Sequence, residues 1–288
     1  MSNWRNLLTT NLSTANIIII GNPYDKAVSC NKGASLAPQK IRFLSSYLPP
    51  VSYHGEVIKV KVYDIGDIVD YTANNSDKYQ ETLKTEKFII QLGGDHSVSI
   101  TSARAFLKHH QNKKIGLIHF DAHADLCNVY DNNIYSHACV NRRIIEAGLT
   151  NTDIAYVGLR SWELEEVEYI NKNAKNYYPM SVINEKGIDY VIKKLQEKFA
   201  NYEAVYLSFD IDIVDPAYAP GTGTPEAGGL SSIEALKMIR SLVENLNVLA
   251  LDIVEVAPPL DVNDITSWLA LKLIYEVFAA VDKKLSVK

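Results

Sequence analysis

The chain has 288 residues, of which 47% are hydrophobic and 22% charged, and its formal net charge is -5 with a pI near 5.8. This composition is ordinary for a globular protein, and scattered lysines and arginines in an acidic chain argue against nucleic-acid binding as the main role. The early apolar run NIIII is too short to cross a bilayer and follows no signal-peptide pattern, so no membrane role is expected.

Apolar, β-branched runs alternate with stretches of helical periodicity along the chain. Eight runs predict strands, at residues 16–20, 57–65, 88–92, 115–120, 154–159, 177–182, 204–211 and 248–256. Helices are predicted over 37–48, 184–200, 231–246 and 265–281. Several strand candidates are apolar on both faces, as expected of strands that helices cover on each side.

This alternation predicts an α/β fold with helices on both faces of a mainly parallel sheet. No internal repeat, low-complexity linker or break in composition interrupts the chain, so a single domain over residues 1–288 is predicted. Ligands bind at the carboxyl ends of strands in such sheets. Residues that carry chemistry should therefore follow directly after predicted strands.

The stretch HFDAHAD, residues 119–125, follows the apolar run IGLI. Alternate side chains of an extended segment point to one side, so Asp121, His123 and Asp125 are expected to converge. Crowded carboxylates are costly unless a cation lies among them. A solvated strand end is the alternative. His119, two residues before Asp121, would point to the same side. It lies inside the apolar run, however, and a structural role is predicted for it.

Two further motifs follow predicted strands. GGDHS, residues 93–97, places His96 after a glycine turn, although a plain turn into a helix gives the same pattern. SFDIDIVDP, residues 208–216, places Asp210 and Asp212 two apart in an apolar strand, where unpaired carboxylates are costly. An edge strand with a wet face is the alternative for the second motif.

Together these motifs place six potential ligands beyond strand ends: His96, Asp121, His123, Asp125, Asp210 and Asp212. The four carboxylates balance the charge of two divalent cations. Oxygen-rich ligation with some imidazole and no cysteine suits Mn²⁺ better than Zn²⁺. The sequence therefore predicts two Mn²⁺ ions about 3.5–4 Å apart, bridged by a water that is hydroxide near neutral pH.

The three cysteines, Cys30, Cys127 and Cys139, match neither a zinc ribbon nor a disulfide framework. Reduced thiols in a cytoplasmic protein are expected. Because Cys127 and Cys139 flank the aspartate-rich region, a redox or metal role is the alternative.

The motifs GGDHS, DAHAD, SFDIDIVDPAYAPGTGTPEAGG and DIVEVAPPLD make residues 20–280 similar to the ureohydrolases, the family of arginase and agmatinase. The resemblance implies a three-layer α/β/α fold around an eight-stranded parallel sheet. It implies that one Mn²⁺ is held by His96, Asp121, Asp125 and Asp210. It implies that the other is held by Asp121, His123, Asp210 and Asp212.

The resemblance also implies a mechanism, in which a hydroxide bridging the two metals attacks a guanidinium carbon. Asp125 would orient this hydroxide, and Glu255, in DIVEVAPPLD, would pair with the guanidinium. His137, in SHACVNRR, matches the family's proton-transfer histidine. Many relatives have glycine after this histidine, whereas Ala138 follows here, so a difference in the surrounding loop is expected.

The segment LCNVYDNNIYSH, residues 126–137, lacks the pattern with which similar arginases recognise the α-carboxylate of arginine, and SHACVNRR is more similar to agmatinases. Hydrolysis of agmatine to putrescine and urea is therefore the leading hypothesis. Glu163, with Glu166 behind it, is predicted to bind the primary ammonium of agmatine. A solvated helix start is the alternative interpretation of both glutamates.

Arginine, guanidinobutyrate and formiminoglutamate are the alternative substrates. The last two need cations for a carboxylate, which Arg142, Arg143 and Arg160 could supply. A non-catalytic regulatory relative, or a single-zinc deacylase of related fold, is disfavoured because the whole ligand set is present. Relatives form trimers and hexamers, so a homo-oligomer acting on a small guanidino compound is expected.

Overall fold

The computed structural model describes residues 3–68 and 77–286. Eight strands form one parallel sheet: β1 (Ile17–Gly21), β2 (Val62–Asp67), β3 (Phe88–Leu92), β4 (Ile115–Phe120), β5 (Ile154–Val157), β6 (Asn176–Tyr178), β7 (Ala204–Asp210) and β8 (Val248–Val254). Their order in the sheet is β2-β1-β3-β8-β7-β4-β5-β6. The prediction of an eight-stranded parallel sheet is confirmed.

Helices cover both faces of this sheet. They are α1 (Ala37–Ser45), α2 (Asp77–Leu83), α3 (Val98–His109), α4 (Val140–Glu146), α5 (Leu164–Asn173), α6 (Met180–Lys186), α7 (Ile188–Phe199), α8 (Ser232–Asn245) and α9 (Ile265–Ser286). One buried apolar cluster joins the sheet to α1 and α6–α9, and a second joins its other face to α2–α5. The α/β/α layering is therefore confirmed.

Several predicted boundaries were wrong. The predicted strand 57–65 begins only at Val62, because residues before it bond elsewhere: Lys59 N–H donates to Asp282 and Lys61 N–H to Asn16. The predicted strand 177–182 ends at Tyr178, since Pro179 precedes the first residue of α6.

The predicted helix 184–200 is two helices, α6 and α7, divided by Gly187. Gly187 has φ 81° and ψ 157°, a combination that only glycine adopts readily. The pattern of apolar residues continued across the break, so periodicity alone could not reveal it. The glycine thus ends one helix and precedes the first residue of the next.

The longest helix, α9, is largely buried, in agreement with its apolar sequence. It packs against α1 and α8. Within residues 3–68 and 77–286, no helix combines the length and apolarity needed to cross a bilayer.

The sheet order brings the sequence motifs together. β3, β8, β7 and β4 are consecutive neighbours in the centre of the sheet. His96 follows β3, Glu255 follows β8, Asp210 ends β7 and Asp121 follows β4. Because the strands are parallel, all four residues lie at one edge of the sheet.

Gly94 has a steric role after β3. A Cβ at this position would lie 1.7 Å from the carbonyl oxygen of Tyr24, so the two backbones touch. The Asp95 N–H donates to the same oxygen at 2.7 Å. Any larger residue at position 94 would push the segment after β1 away from the strand ends.

Replacing Gly187 tests whether the helix break is imposed by the backbone. An added Cβ meets no atom within 4 Å, so the cost of Gly187→Ala is conformational. We expect the free energy of unfolding in urea to fall by about 1–3 kcal/mol. Asn184→Ala, an exposed change in α6, should alter it by less than about 0.5 kcal/mol. A more stable Gly187→Ala protein would mean that α6 and α7 can merge.

Candidate metal centre

The six residues predicted as metal ligands lie together at the central strand ends. Five are almost fully buried: His96, Asp121, Asp125, Asp210 and Asp212. The side chain of the sixth, His123, is 27% exposed. The structure therefore joins three motifs that are up to 116 positions apart in the sequence, counted from His96 to Asp212.

One group of potential ligands surrounds a ring nitrogen of His96. Its Nδ1 lies 3.0 Å from Asp121 Oδ2, 3.0 Å from Asp125 Oδ2 and 3.2 Å from Asp210 Oδ2. Within the described part of the chain, His96 Nδ1, Asp121 Oδ2 and Asp125 Oδ2 are buried without a hydrogen bond. Converging carboxylates in a dry site require a positive charge, so this set fits a metal cation.

A second group surrounds His123. Its Nδ1 lies 3.0 Å from Asp212 Oδ2 and 3.4 Å from Asp121 Oδ1. Ligand atoms of these three residues lie within 4.8 Å of one another, close enough to hold a metal ion. Asp121 thus contributes one oxygen to each group, which is the geometry expected of a bridging carboxylate.

His119 also reaches the cluster. Its ring stacks on His96 with centroids 5.1 Å apart, and its Nε2 lies 3.2 Å from Asp121 Oδ2. The same nitrogen lies 3.2 Å from the carbonyl oxygen of His123. His119 therefore supports ligands on either side, and with His96 and Asp121 it forms another group within metal-holding distance.

The carboxylates differ in their electrostatic surroundings. Burial disfavours the charge of Asp121, but His119, His123 and His96 together hold its pKa well below the usual range. Burial, followed by the charges of Asp212 and Asp121, raises the pKa of Asp210 well above its usual range. Full ionisation of the cluster therefore requires added positive charge.

Two residues of the site have backbone conformations that are unusual for their type. Asp125 has φ 53° and Glu255 has φ 60°. Positive φ is costly for side-chain-bearing residues and persists only when the surroundings impose it. The Asp125 carbonyl accepts the N–H of Asn141, and the Glu255 N–H donates to the Gly94 carbonyl, each at 2.9 Å.

His137 and Glu255 are hydrogen-bonded to each other. His137 Nδ1 lies 3.0 Å from Glu255 Oε1, which also accepts the His96 N–H at 2.8 Å. Ser29 approaches the other ring nitrogen, with its N–H 3.0 Å and its Oγ 2.8 Å from Nε2. An N–H can only donate, so in the neutral ring Nε2 accepts and Nδ1–H donates to Glu255.

Burial alone would lower the pKa of His137. The hydrogen bond and charge of Glu255, with the charges of Asp125 and Asp95, raise this pKa to about 9. Ala138, which follows, lies outside the positive-φ region, and its N–H donates to Ser136 Oγ. Glycine is therefore not needed for the loop conformation at this position.

A cavity of about 200 Å³ opens onto the cluster. Its walls contain four of the predicted metal ligands, His96, His123, Asp125 and Asp210, together with the predicted proton-transfer residue His137. Glu255 does not line it and lies behind His137, 2% exposed. Lining residues that the sequence did not reveal include Ser29, Tyr130, Ser161, Trp162 and Thr224. Trp162 could have been noticed in the sequence as an aromatic residue five positions after the end of β5.

Glu163 and Glu166 both line the cavity and also start α5. Glu163 is the exposed N-cap residue, and Glu166 completes the capping box by accepting the Glu163 N–H at 3.0 Å. Glu166 also accepts the Leu126 N–H at 2.8 Å. Its burial, together with the charge of Asp125, raises its pKa to about 7.

The three arginines considered for a substrate carboxylate are all engaged elsewhere. Arg160 donates to the carbonyl oxygens of Asp212, Glu226 and Ala227 at 2.6–3.1 Å. Arg143 donates to Asn128 and Glu146, and Arg142 lies over the Tyr169 ring. Among the described residues, no lysine or arginine lines the cavity. All three cysteines are free thiols outside the ligand groups.

Comparison with known proteins gives consistent matches over nearly the whole chain. The model of the arginase family matches residues 15–280. A guanidinobutyrase of Pseudomonas aeruginosa is 32% identical over 94% of this chain and 88% of its own. An agmatinase of Neisseria meningitidis is 34% identical over 91% of this chain and 87% of its own. The crystal structure of an agmatine ureohydrolase of Thermoplasma volcanium is 29% identical, with a TM-score of 0.88 over 100% of this chain and 96% of that one.

Titration with divalent cations tests the ligand cluster. We expect Mn²⁺ at about 100 times its Kd to stabilise the metal-free protein by about 3 kcal/mol, and to raise its Tm by several degrees. Asp121→Asn keeps the side-chain size but removes the shared charge, so most of this rise should disappear. Asp131→Asn removes a charge from an exposed loop position and should keep it. A full rise in Asp121→Asn would contradict the shared-carboxylate geometry.

The pKa of Glu166 predicts a pH dependence of stability. Its folded value of about 7 lies above an unfolded value of about 4.3, so its stabilising contribution is complete below pH ~4.3 and is lost as pH rises through 7. In metal-free protein, unfolding free energy should fall by about 2–3 kcal/mol between pH 5 and 8, relative to Glu166→Gln. The exposed neighbour change Glu165→Gln should follow the wild-type profile. Parallel wild-type and Glu166→Gln profiles would refute the raised pKa.

Proposed function

The chain belongs to the arginase family and is a guanidino hydrolase of that family, and we propose that it converts agmatine and water to putrescine and urea at a centre of two Mn²⁺ ions. The charge of the cavity wall is the observation that carries the choice of agmatine. An agmatinase and a guanidinobutyrase are similarly identical to this chain, so the choice of substrate is argued from the side chains that line the cavity.

The proposed ligands follow from the two groups of side chains. One ion would be held by His96, Asp121, Asp125 and Asp210. The other would be held by Asp121, His123, Asp210 and Asp212. Oxygen-rich coordination without thiolate favours Mn²⁺. Two such cations lower the pKa of water at the centre and provide a nucleophile at neutral pH.

Asp125 and Glu255 would position the reactants. Asp125 Oδ2 is buried beside His96 and faces the cluster, where it can orient the attacking water. Glu255 Oε1 already carries the contacts to His137 and the His96 N–H, so we assign Oε2 to the guanidinium. Because Glu255 lies behind His137 and outside the cavity wall, this pairing requires the His137 side chain to move. A carboxylate matches the forked N–H groups of a guanidinium and would hold its carbon near the metals.

His137 would supply the proton that the departing amine needs. The carboxylates around it raise its pKa to about 9, so the ring holds a proton at neutral pH, and bound cations would bring this pKa down. Nδ1–H donates to Glu255, and a proton on Nε2 could go to Ser29 Oγ, 2.8 Å away, once the Ser29 N–H that donates to the neutral ring moves aside. A ring held from both sides is well placed for directed proton transfer.

The cavity wall suits a substrate with a positively charged tail. Tyr130, Trp162, Glu163 and Glu166 line it together with the proposed ligands. An ammonium group gains from the carboxylate of Glu163 and from the face of Trp162, whereas a carboxylate tail beside Glu163 meets like charge and, among the described residues, no lysine or arginine in the cavity wall. Agmatine has an ammonium and no carboxylate, whereas arginine, which also has an α-ammonium, guanidinobutyrate and formiminoglutamate each have a carboxylate. We therefore propose Glu163 as the residue that binds the tail ammonium.

We further propose a single domain over residues 1–288 that works as a homo-oligomer, a trimer or hexamer, in the cytoplasm. A single continuous sheet supports one domain. An apolar groove lined by Leu36, Phe43, Pro258 and Pro259, among others, supports a subunit contact. Three free thiols support a reducing compartment.

Urea release tests the proposed substrate. The Mn²⁺-loaded protein should act on agmatine with a kcat/KM at least about tenfold above that for arginine or 4-guanidinobutyrate, a difference of about 1.4 kcal/mol in the transition state. Glu163→Gln should raise KM for agmatine about two- to fivefold, as expected of an exposed ion pair, and should lower it for 4-guanidinobutyrate.

Glu168→Gln is the matched control, because it removes an exposed charge from the same helix outside the cavity wall. Its kinetic constants should equal those of the wild type. Faster urea release from arginine or 4-guanidinobutyrate would keep the family chemistry and overturn the choice of agmatine. Urea from none of the three would overturn the proposed reaction.

A further inference from the structure

A row of buried polar side chains crosses the centre of the sheet beneath the proposed metal centre. Gln91, Asp252, Ser208, His119 and Tyr156 occupy matching positions on β3, β8, β7, β4 and β5. Each is at most 1% exposed. Burying a polar group in such an interior costs free energy unless hydrogen bonds replace those that it made to water. The middle of this row connects directly to His96.

The proton positions in this connection follow from what each group can do. Asp252 Oδ1 accepts from Ser208 Oγ at 2.8 Å and from the Phe209 N–H at 3.2 Å, and Asp252 Oδ2 accepts from the Tyr206 hydroxyl at 2.7 Å. A hydroxyl has a single proton, and Ser208 gives its proton to Asp252. Ser208 Oγ must therefore accept from His96 Nε2, which lies 2.9 Å away.

This direction determines which nitrogen of His96 is free to bind a cation. If Nε2 carries the proton, Nδ1 of the neutral ring has an exposed lone pair. Nδ1 is the atom that Asp121, Asp125 and Asp210 surround. Without an acceptor at Nε2, the ring can place its proton on Nδ1, at the point where the cation binds.

We infer that Ser208 and Asp252 are positioning residues that fix the tautomer and orientation of His96, so that Nδ1 faces the metal. This inference rests on the metal centre of the proposed function. It assigns a role to an aspartate and a serine that lie outside the ligand set. Hydrogen bonds of this kind commonly change metal affinity by about 10–100-fold.

The effect should be confined to one of the two proposed ions. Among residues 3–68 and 77–286, His123 has no comparable connection: its Nε2 lies 3.9 Å from Glu226 Oε1, and its side chain is 27% exposed. Removing the Ser208 hydroxyl should therefore weaken the ion at His96 and spare the ion at His123. A purely structural role for Ser208 would weaken both ions together, or neither.

Calorimetric titration of metal-free protein with Mn²⁺ tests this selectivity. In Ser208→Ala we expect one of the two dissociation constants to rise about 10–100-fold and the other to stay within about threefold of the wild type. Ser102→Ala is the matched control: Ser102 is equally buried, and its Oγ contacts the Tyr206 hydroxyl at 2.9 Å and the Val98 and Ser99 carbonyls rather than His96. Both constants should stay within about threefold in this control.

Unchanged binding in Ser208→Ala, or equal weakening of both ions, would overturn the inference. If the wild type binds two ions and Ser208→Ala binds them equally well, only the role of Ser208 is refuted. If the wild type binds no Mn²⁺, the proposed metal centre is refuted as well. If Ser208→Ala does not fold, NMR spectra of the ring ¹⁵N atoms in the wild type, loaded with diamagnetic Zn²⁺, show which nitrogen of His96 carries the proton. A proton on Nε2 of His96 is expected, and a proton on Nδ1 would refute the assignment.

Discussion

Three carboxylate oxygens lie around one imidazole nitrogen at the centre of the sheet edge, and only a positive charge stabilises such an arrangement in a buried site. Backbone N–H groups hold the carboxylates in place: His123 N–H donates to Asp121, Ala122 N–H to Asp212, and Asp212 N–H to Asp210. These bonds fix the oxygens before any cation arrives. The cluster is therefore organised in advance, at the expense of mutual repulsion among its members.

The chain adopts strained geometry where this organisation requires it. The residues that follow β4 and β8, Asp125 and Glu255, both have positive φ, although neither is glycine. Close contact of Gly94 with Tyr24 brings the segment that carries Ser29 against His137. The wall of the cavity opposite the carboxylates is thus attached to the same strand ends that hold them. Strain at such positions is common in functional sites and is offset by packing elsewhere.

The sequence predicted the strands and the ligand cluster because both depend on local pattern. Apolar runs revealed the buried strands. The aspartates of DAHAD and FDID do lie together, but not by the extended alternation that predicted it: Asp212 lies in a 3-10 helix after β7, and Asp125 has positive φ. The placement of Glu255 behind His137 depends instead on contacts between distant segments, as does the approach of Ser29. Likewise, Gly187 divided a helix within an unbroken apolar pattern. Position in the sheet order was the missing information, since no local pattern encodes which strands become neighbours.

The order of strands in the sheet has a consequence for how the protein is made. β8 is the last strand to leave the ribosome, yet it lies between β3 and β7, where it joins the strands made first to those made later. His96 follows β3, and the aspartates follow β4 or lie at or just after the end of β7, on the other side of β8. The two halves of the ligand cluster therefore remain separate during translation. Capture of the proposed metal ions would then follow synthesis of β8, and a chain truncated before residue 248 would lack the strand that joins the two halves of the cluster.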